Sequence, residues 1–192
     1  MDETPAELTS LQALLDRSIA RANPHLTGII EPGRRTMSAE RLCHDLVDIC
    51  VLNVATVTVK GEPRLSAVDG HFRHGRWHFT TSGAAAKAVH LSARPGISVS
   101  YTPREGFGVW THGRASVLAR GSAEQADLDE YLTVVYDQSP SDWRPDIIYF
   151  TVQPHWMVGF AMTPEEDVET AAAAERRAAR LTAAGKPTGA DA

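Results

Sequence analysis

The sequence predicts a mainly β protein whose sheet closes into a barrel. Three observations carry that expectation. Periodicity changes from helical to alternating at Val51, strand-like segments then follow one another across short turns, and no βαβ alternation appears. The first strand, "VLNVATVTV", is rich in β-branched residues and ends at Lys60-Gly61, a turn signal. "PRLSAVDGHF" and "RWHFTTS" follow as two strands joined at His74-Gly75. "GISVSY", the long "FGVWTHGRASVLA", "DIIYFTVQP" and "WMVGFAM" bring the total to about seven strands.

Helices flank this core. Thr4, Pro5 and Glu7 spell a helix start, with Thr4 as cap, Pro5 in the first turn and Glu7 reaching back. Leu8, Leu11, Leu15 and Ile19 then share one face that must dock on something. "NPHLTGIIEPGRRT" breaks that helix, and a short second one begins at Ser38 with Leu42, Leu46 and Ile49. "SAEQADLDEYLTVVYDQS" is helical, opened by the pair Ser122 and Gln125. Three parts result: an N-terminal helix and linker over 1–37, a barrel domain over 38–163, and an acidic, then alanine-rich tail over 164–192. The tail has only Val168 and Leu181 as large apolar residues. It is expected to form at most a solvated helix and to fray after Gly185.

Composition narrows the functional classes. A formal charge of −5 over 192 residues, with no block of Lys and Arg, leaves no electrostatic footprint for nucleic acid or an anionic membrane. The acidic start "MDETPAELTS" has no basic n-region or apolar h-region, so no secretory signal is predicted. Two cysteines, Cys43 and Cys50, form no CxxC and fit buried positions in a reducing, cytoplasmic setting.

The stretch "HFRHGRWHFTTSGAAAKAVHL" holds four of the eight histidines. With His74-Gly75 as the turn, Arg73 faces Arg76, Phe72 faces Trp77, and His71 faces His78. Phe72, Trp77 and Phe79 then read as core, while Asp69, His71, His78 and Thr80 share the other, partly exposed face. An opposed His71–His78 pair could give a metal two ligands, but neither His90 nor His112 supplies a third by local spacing. Cross-strand histidines are ordinarily polar neighbours, and no metal is expected. "TTSGAAAKAVHL" is more definite. A strand ends in Thr80, Thr81 and Ser82, passes Gly83 and enters a helix whose first turn offers free N–H groups to an anion. Lys87, about one turn in, leans back toward that end, and Arg64 at the head of the neighbouring strand could add a forked charge. The plainer alternative makes Lys87 and Arg64 solvated surface residues and Ser82 only a helix cap. Neither GxxxxGK[ST] nor a strand-following GxGxxG is present.

The ordered set Ala55-Thr56, Gly61, Pro63-Arg64, Phe79 with Thr81, Lys87, Leu91 and Pro95 resembles the pyridoxamine 5'-phosphate oxidase-like, FMN-binding split-barrel superfamily over roughly residues 40 to 160. That resemblance implies a six-stranded antiparallel split β-barrel, homodimeric, with two equivalent flavin sites between the subunits. It implies that Arg64, Leu65 and Ser66 line the cofactor and that Thr80, Thr81 and Ser82 hold its ribityl and phosphate region. Lys87 would pair with the phosphate. Trp110, on the long strand, would meet the partner's flavin or the interface, with simple packing as the equal alternative.

Departures from the pattern matter too. Ala85-Ala86 precede Lys87 where many members have Ser-Arg, Asp69 stands where the oxidases carry a Lys, and "VQPHWMVGFAMTPEE" lacks their C-terminal Arg-rich motif. Pyridoxamine phosphate oxidation itself is therefore not expected. The resemblance implies an oxidoreductase using FMN, or alternatively the deazaflavin coenzyme F-420, on a small-molecule substrate. A cofactor-binding or sensor protein without turnover is the other alternative. His71, His78 and His112 are candidate acids only because a histidine ordinarily titrates near neutral pH, and structural roles are the commoner case.

Overall fold

Alternation of apolar and polar residues sets the barrel. In the first strand, β1 (Cys50–Val57), the side chains of Cys50, Leu52, Val54 and Thr56 are buried while Val51, Asn53 and Val57 face outward. The computed structural model describes residues 3–183. The fraying expected after Gly185 lies outside them. β1 is followed by β2 (Pro63–Arg73), β3 (Arg76–Ser82), β4 (Gly96–Arg104), β5 (Phe107–Val117) and β6 (Ile147–Ala161). These six antiparallel strands close in the order β1-β2-β3-β6-β5-β4. The β2–β3 hairpin has the expected register, with His71 opposite His78 and Arg73 opposite Arg76. His74 (φ 53°) and Gly75 (φ 72°) make its turn, and two successive positive φ values match the right-handed twist of the strands.

The two strands expected at the C-terminal end are one. Pro154 reads as a break because it has no N–H for the ladder, yet β6 runs through it. β5 pairs with β6 along its whole length, and the register slips between His112 and Gly113, which face Trp156 and Pro154. His155 is thus the extra residue of a β-bulge. β3 pairs only with Ile147–Val152, so the proline falls where its missing donor disturbs one neighbour rather than two.

Seven helices occur among the described residues: α1 (Pro5–Ala20), α2 (Pro24–Ile30), α3 (Ala39–Asp45), α4 (Ala86–Ala93), α5 (Ala123–Tyr136), α6 (Pro140–Trp143) and α7 (Pro164–Ala183). The α1 capping box forms as expected: Glu7 N–H donates to Thr4 Oγ1 at 3.3 Å and Thr4 N–H to the Glu7 carboxylate at 2.7 Å. Leu11, Leu14 and Leu15 join the barrel residues in one core. Ser18 rather than Ile19 completes the buried face. Its hydroxyl donates to the Leu14 carbonyl at 2.7 Å and accepts the Met157 N–H of β6 at 3.0 Å. α3 buries Leu42 and Cys43, followed by Leu46, but Ile49 is exposed. At the head of α5, Ser122 accepts from Gln125 N–H as expected, while the Gln125 amide oxygen takes Gly121 N–H, one residue before the cap.

α5 covers the outer face of β3 and β6, where Leu118, Leu128, Leu132 and Tyr149 form a second, smaller core. α7 is helical from Pro164 to Ala183 and buries none of its residues. Ion pairs hold it: Glu166 takes both Arg34 and Arg35, Asp167 takes Arg104, and Arg177 reaches Glu105. No helix among the described residues is long and apolar enough to cross a membrane.

Inside the barrel Phe79 stacks on Phe150 at 5.1 Å, and the Trp77 indole N–H donates to Thr111 Oγ1 at 3.1 Å. Both partners of that hydrogen bond are fully buried. Thr111→Val keeps the shape but leaves the indole donor without an acceptor. The expected cost is about 1–3 kcal/mol, read as a lower urea midpoint at unchanged slope.

Candidate functional site

The segment from Thr80 to Lys87 leaves the sheet at its β3 end. Thr80, Thr81 and Ser82 pair with Tyr149, Ile148 and Ile147 of β6. Period two divides them: Thr81 shares the face of Phe79, while Thr80 and Ser82 share that of His78. The three hydroxyls therefore do not converge on one point. Ser82 Oγ accepts Ala84 N–H at 3.2 Å and donates to the Asp146 carboxylate, and Gly83 N–H donates to the Asp146 carbonyl at 2.7 Å. Asp146 also receives Arg144 Nε at 3.1 Å. These contacts, led by the Ser82 hydrogen bond, hold the Asp146 carboxyl below the ordinary carboxylate range. Ser82 thus builds the turn and is not the helix cap.

The helix starts later than its sequence suggests. α4 begins at Ala86, its cap residue is Ala85 in extended geometry, and no side chain caps it. By contrast, Thr4, Asn23, Ser38, Ser122 and Ser139 all close their helices with side-chain hydrogen bonds. Lys87 is the second helical residue rather than one turn in, and no acidic residue lies in that first turn. Among the described residues nothing hydrogen-bonds or ion-pairs with its ammonium. A cation beside the positive end of a helix dipole is an unfavourable placement unless an anion joins it.

Arg64 stands apart from this helix start in its contacts. Its guanidinium is held by Glu62 at 2.8 Å and is largely exposed. Thr56, directly across from it, links to α4 instead, with Oγ1 2.9 Å from His90 Nδ1. Ser66 is half-buried on the Arg64 side of β2, and Leu65, on the opposite side, is 71% exposed. Leu65 pairs with Ala55 of β1, on an outer face that also carries Val51, Val57, Pro63 and Ala67 together with Asn53 and Asp69. Trp110, opposite Ser100 of β4 and Val158 of β6, extends the outward-facing surface. Its ring lies along its own strand over Gly108. A Cβ there would stand 2.4 Å from the indole, so only glycine fits beneath the ring.

Sequence reasoning named His112, beside Trp110 on β5, but not its partners. His112 stacks on Trp156 at 4.8 Å, and its Nδ1 is 2.9 Å from Ser98 Oγ. Burial, with a smaller effect of His155, lowers the His112 pKa. Alternation along β5 signalled the shared face of Trp110 and His112, but the bulge that brings Trp156 opposite His112 left no local pattern.

His71 and His78 depart from the expected partly exposed face. Both are buried under α5. His71 Nε2 lies 3.0 Å from Tyr136 Oη, and its Nδ1 3.4 Å from Tyr131 Oη; His78 Nε2 lies 3.3 Å from the Arg73 carbonyl. Among the described residues no group of three or more His, Cys, Asp or Glu side chains is placed to hold a metal. Cys43 and Cys50 are buried, and burial pushes their thiols up to about 12 and about 11.

No family model matches the sequence, and no curated protein matches it. Solved structures do match the fold. A conserved hypothetical protein from Mycobacterium tuberculosis aligns at TM-score 0.52 and 16% identity, covering 67% of this chain and 88% of that one. HutZ, the heme storage protein from Vibrio cholerae, aligns at 0.51 and 18%, covering 73% and 97%. An FAD-binding protein from Mesorhizobium loti aligns at 0.50 and 20%, covering 65% and 93%. The chain has the split-barrel fold of the pyridoxamine 5'-phosphate oxidase-like proteins. At these identities the likeness is one of fold.

Desolvation lowers His71 to about 4 and His78 to about 3 from an ordinary 6.5. Between those values and 6.5 the unfolded chain binds protons that the folded chain refuses. Stability is therefore expected to fall as pH drops from 6.5 toward 4, with a slope approaching about 1.4 kcal/mol per pH unit per histidine. Urea unfolding at pH 7 and pH 5 checks this, and His71→Gln should flatten the difference.

Proposed function

We propose that this protein is a flavin-binding oxidoreductase working as a homodimer. In this reading it holds FMN by its phosphate at the start of α4 and acts on a small-molecule substrate. The observation that carries the proposal is the unfinished start of that helix: an uncapped first turn with a lysine in it and no carboxylate to meet the charge. A phosphate there accepts the free N–H groups and neutralises Lys87 at once. Because the Ser82 hydroxyl already donates its hydrogen bond to Asp146, the backbone and Lys87 carry the phosphate contact, and Ser82 keeps the turn in shape. Thr80 and Thr81 lie on opposite faces of β3 and Arg64 is held by Glu62, so the phosphate contact does not need them.

Bound flavin would supply the hydride chemistry. The chain's own part is to anchor the phosphate, shape the surface over the ring and exclude water. Val51, Val57 and Leu65 are exposed on the outer face of β1 and β2, and a second copy covering that face would bring Trp110 to the boundary between subunits.

Titration of the purified chain with FMN, followed by quenching of flavin fluorescence, tests the reading. Lys87→Ala is expected to weaken FMN by about 1.5–3 kcal/mol, the range of a hydrogen bond to a charged group. Riboflavin, which lacks the phosphate, should bind the variant and the parent equally. Coenzyme F-420 in the same assay decides between the flavin and the deazaflavin, and a protein that binds neither overturns the proposal. Val51→Lys places a charge on the outer face and is expected to shift the chain from dimer to monomer in size-exclusion chromatography with light scattering.

A further inference from the structure

A separate cleft of about 220 Å³ opens between the β5–α5 connection and the α6–β6 loop. Its floor is apolar, formed by Leu118, Ile147 and the Tyr149 ring, and its rim carries Arg120, Arg144 and Gln125. No carboxylate lines it. The hydroxyls of Tyr149 and Ser141 are already committed, Tyr149 to Asp129 and the two to each other at 2.9 Å.

The polar side-chain groups that remain are donors. Arg120 has no hydrogen bond or ion pair among the described residues. Arg144 uses only Nε, toward Asp146, which leaves both terminal amino groups free. Gln125 uses its oxygen on Gly121 N–H, which leaves its NH2 free. One unpaired guanidinium, the two free amino groups of a second and an amide NH2, over an apolar floor, describe complementarity to one kind of ligand.

We propose that this cleft binds a small anion, a carboxylate or phosphate carried on a compact apolar body such as an aromatic ring. The anion takes the forked N–H groups of Arg120 and Arg144 and the Gln125 NH2, and the apolar body lies against Leu118, Ile147 and Tyr149. Ile147 and Ile148 also pair with Ser82 and Thr81, so the cleft backs onto the start of the α4 turn without using Lys87. The inference does not depend on the flavin reading.

The test titrates the full chain with benzoate and with phenyl phosphate, following the arginine Nε–H resonances by NMR and the heat of binding by calorimetry. Both substituted arginines are at the surface, so Arg120→Ala and Arg144→Ala are expected to fold. Saturable binding that perturbs the two arginine signals, and that each substitution weakens by about tenfold, supports the proposal. Lys87→Ala is expected to leave the arginine shifts caused by either probe as they are in the parent, whatever it does to phosphate binding at α4, and a preference between the two probes tells carboxylate from phosphate. Absence of saturable binding by either probe overturns it. So does unchanged affinity in the Arg120→Ala/Arg144→Ala double variant, or equal binding of neutral benzyl alcohol. Loss of phenyl phosphate binding in Lys87→Ala alone would place the anion at α4 and overturn the cleft, leaving the flavin proposal intact.

Discussion

The unbroken course of β6 is the constraint on which the other elements depend. Its first half pairs with β3, and from Phe150 to Ala161 it pairs with the whole of β5. It thereby joins the β1–β2–β3 meander to the β4–β5 hairpin, and β4 completes the circle on β1. The same strand receives α1 through Ser18, and the segment before α3 through the Met37 N–H on the Gly159 carbonyl at 3.2 Å. A bulge at His155 lets one strand serve all these neighbours, since it bends the chain where β3 stops and the N-terminal helix takes over.

Much of this was legible locally. A capping box, a hairpin with two positive-φ residues and an alternating β1 each place their signal within a few residues, and each formed as read. The turn at His74-Gly75 was enough to fix His71 opposite His78. It could not say what covers that face, because α5 lies some fifty residues further on and meets His71 through Tyr131 and Tyr136. Burial under α5, rather than register, decides that these histidines stay neutral. Pro154 misled for a related reason: its cost depends on how many strands flank it, and that is settled by topology.

The candidate cofactor region was legible as composition but not as geometry. Hydroxyls, a glycine and a lysine before a helix suggest an anion, but they do not reveal which hydroxyl is already engaged. Asp146 comes from a loop more than sixty residues away and accepts the Ser82 hydroxyl's hydrogen bond. Arg64 likewise reads as available until Glu62, two residues before it, is seen to hold it. Several cations keep no acidic partner among the described residues; Lys87 stands out among them by its place in an uncapped first turn, and Arg120 with the free ends of Arg144 by sharing one cleft. Charges that a fold leaves uncompensated say more about ligands than charges merely present.

α7 follows a different physical logic from the barrel. It contributes no buried side chain, and Arg34, Arg35, Arg104 and Arg177 hold it against the body through Glu166, Asp167 and Glu105. Contacts of this kind weaken as ions accumulate, over a screening length of about 8 Å at physiological ionic strength. The barrel, sealed by apolar surface, is indifferent to that variable. The molecule therefore combines a body that answers to temperature and denaturant with an arm that answers to the salt around it.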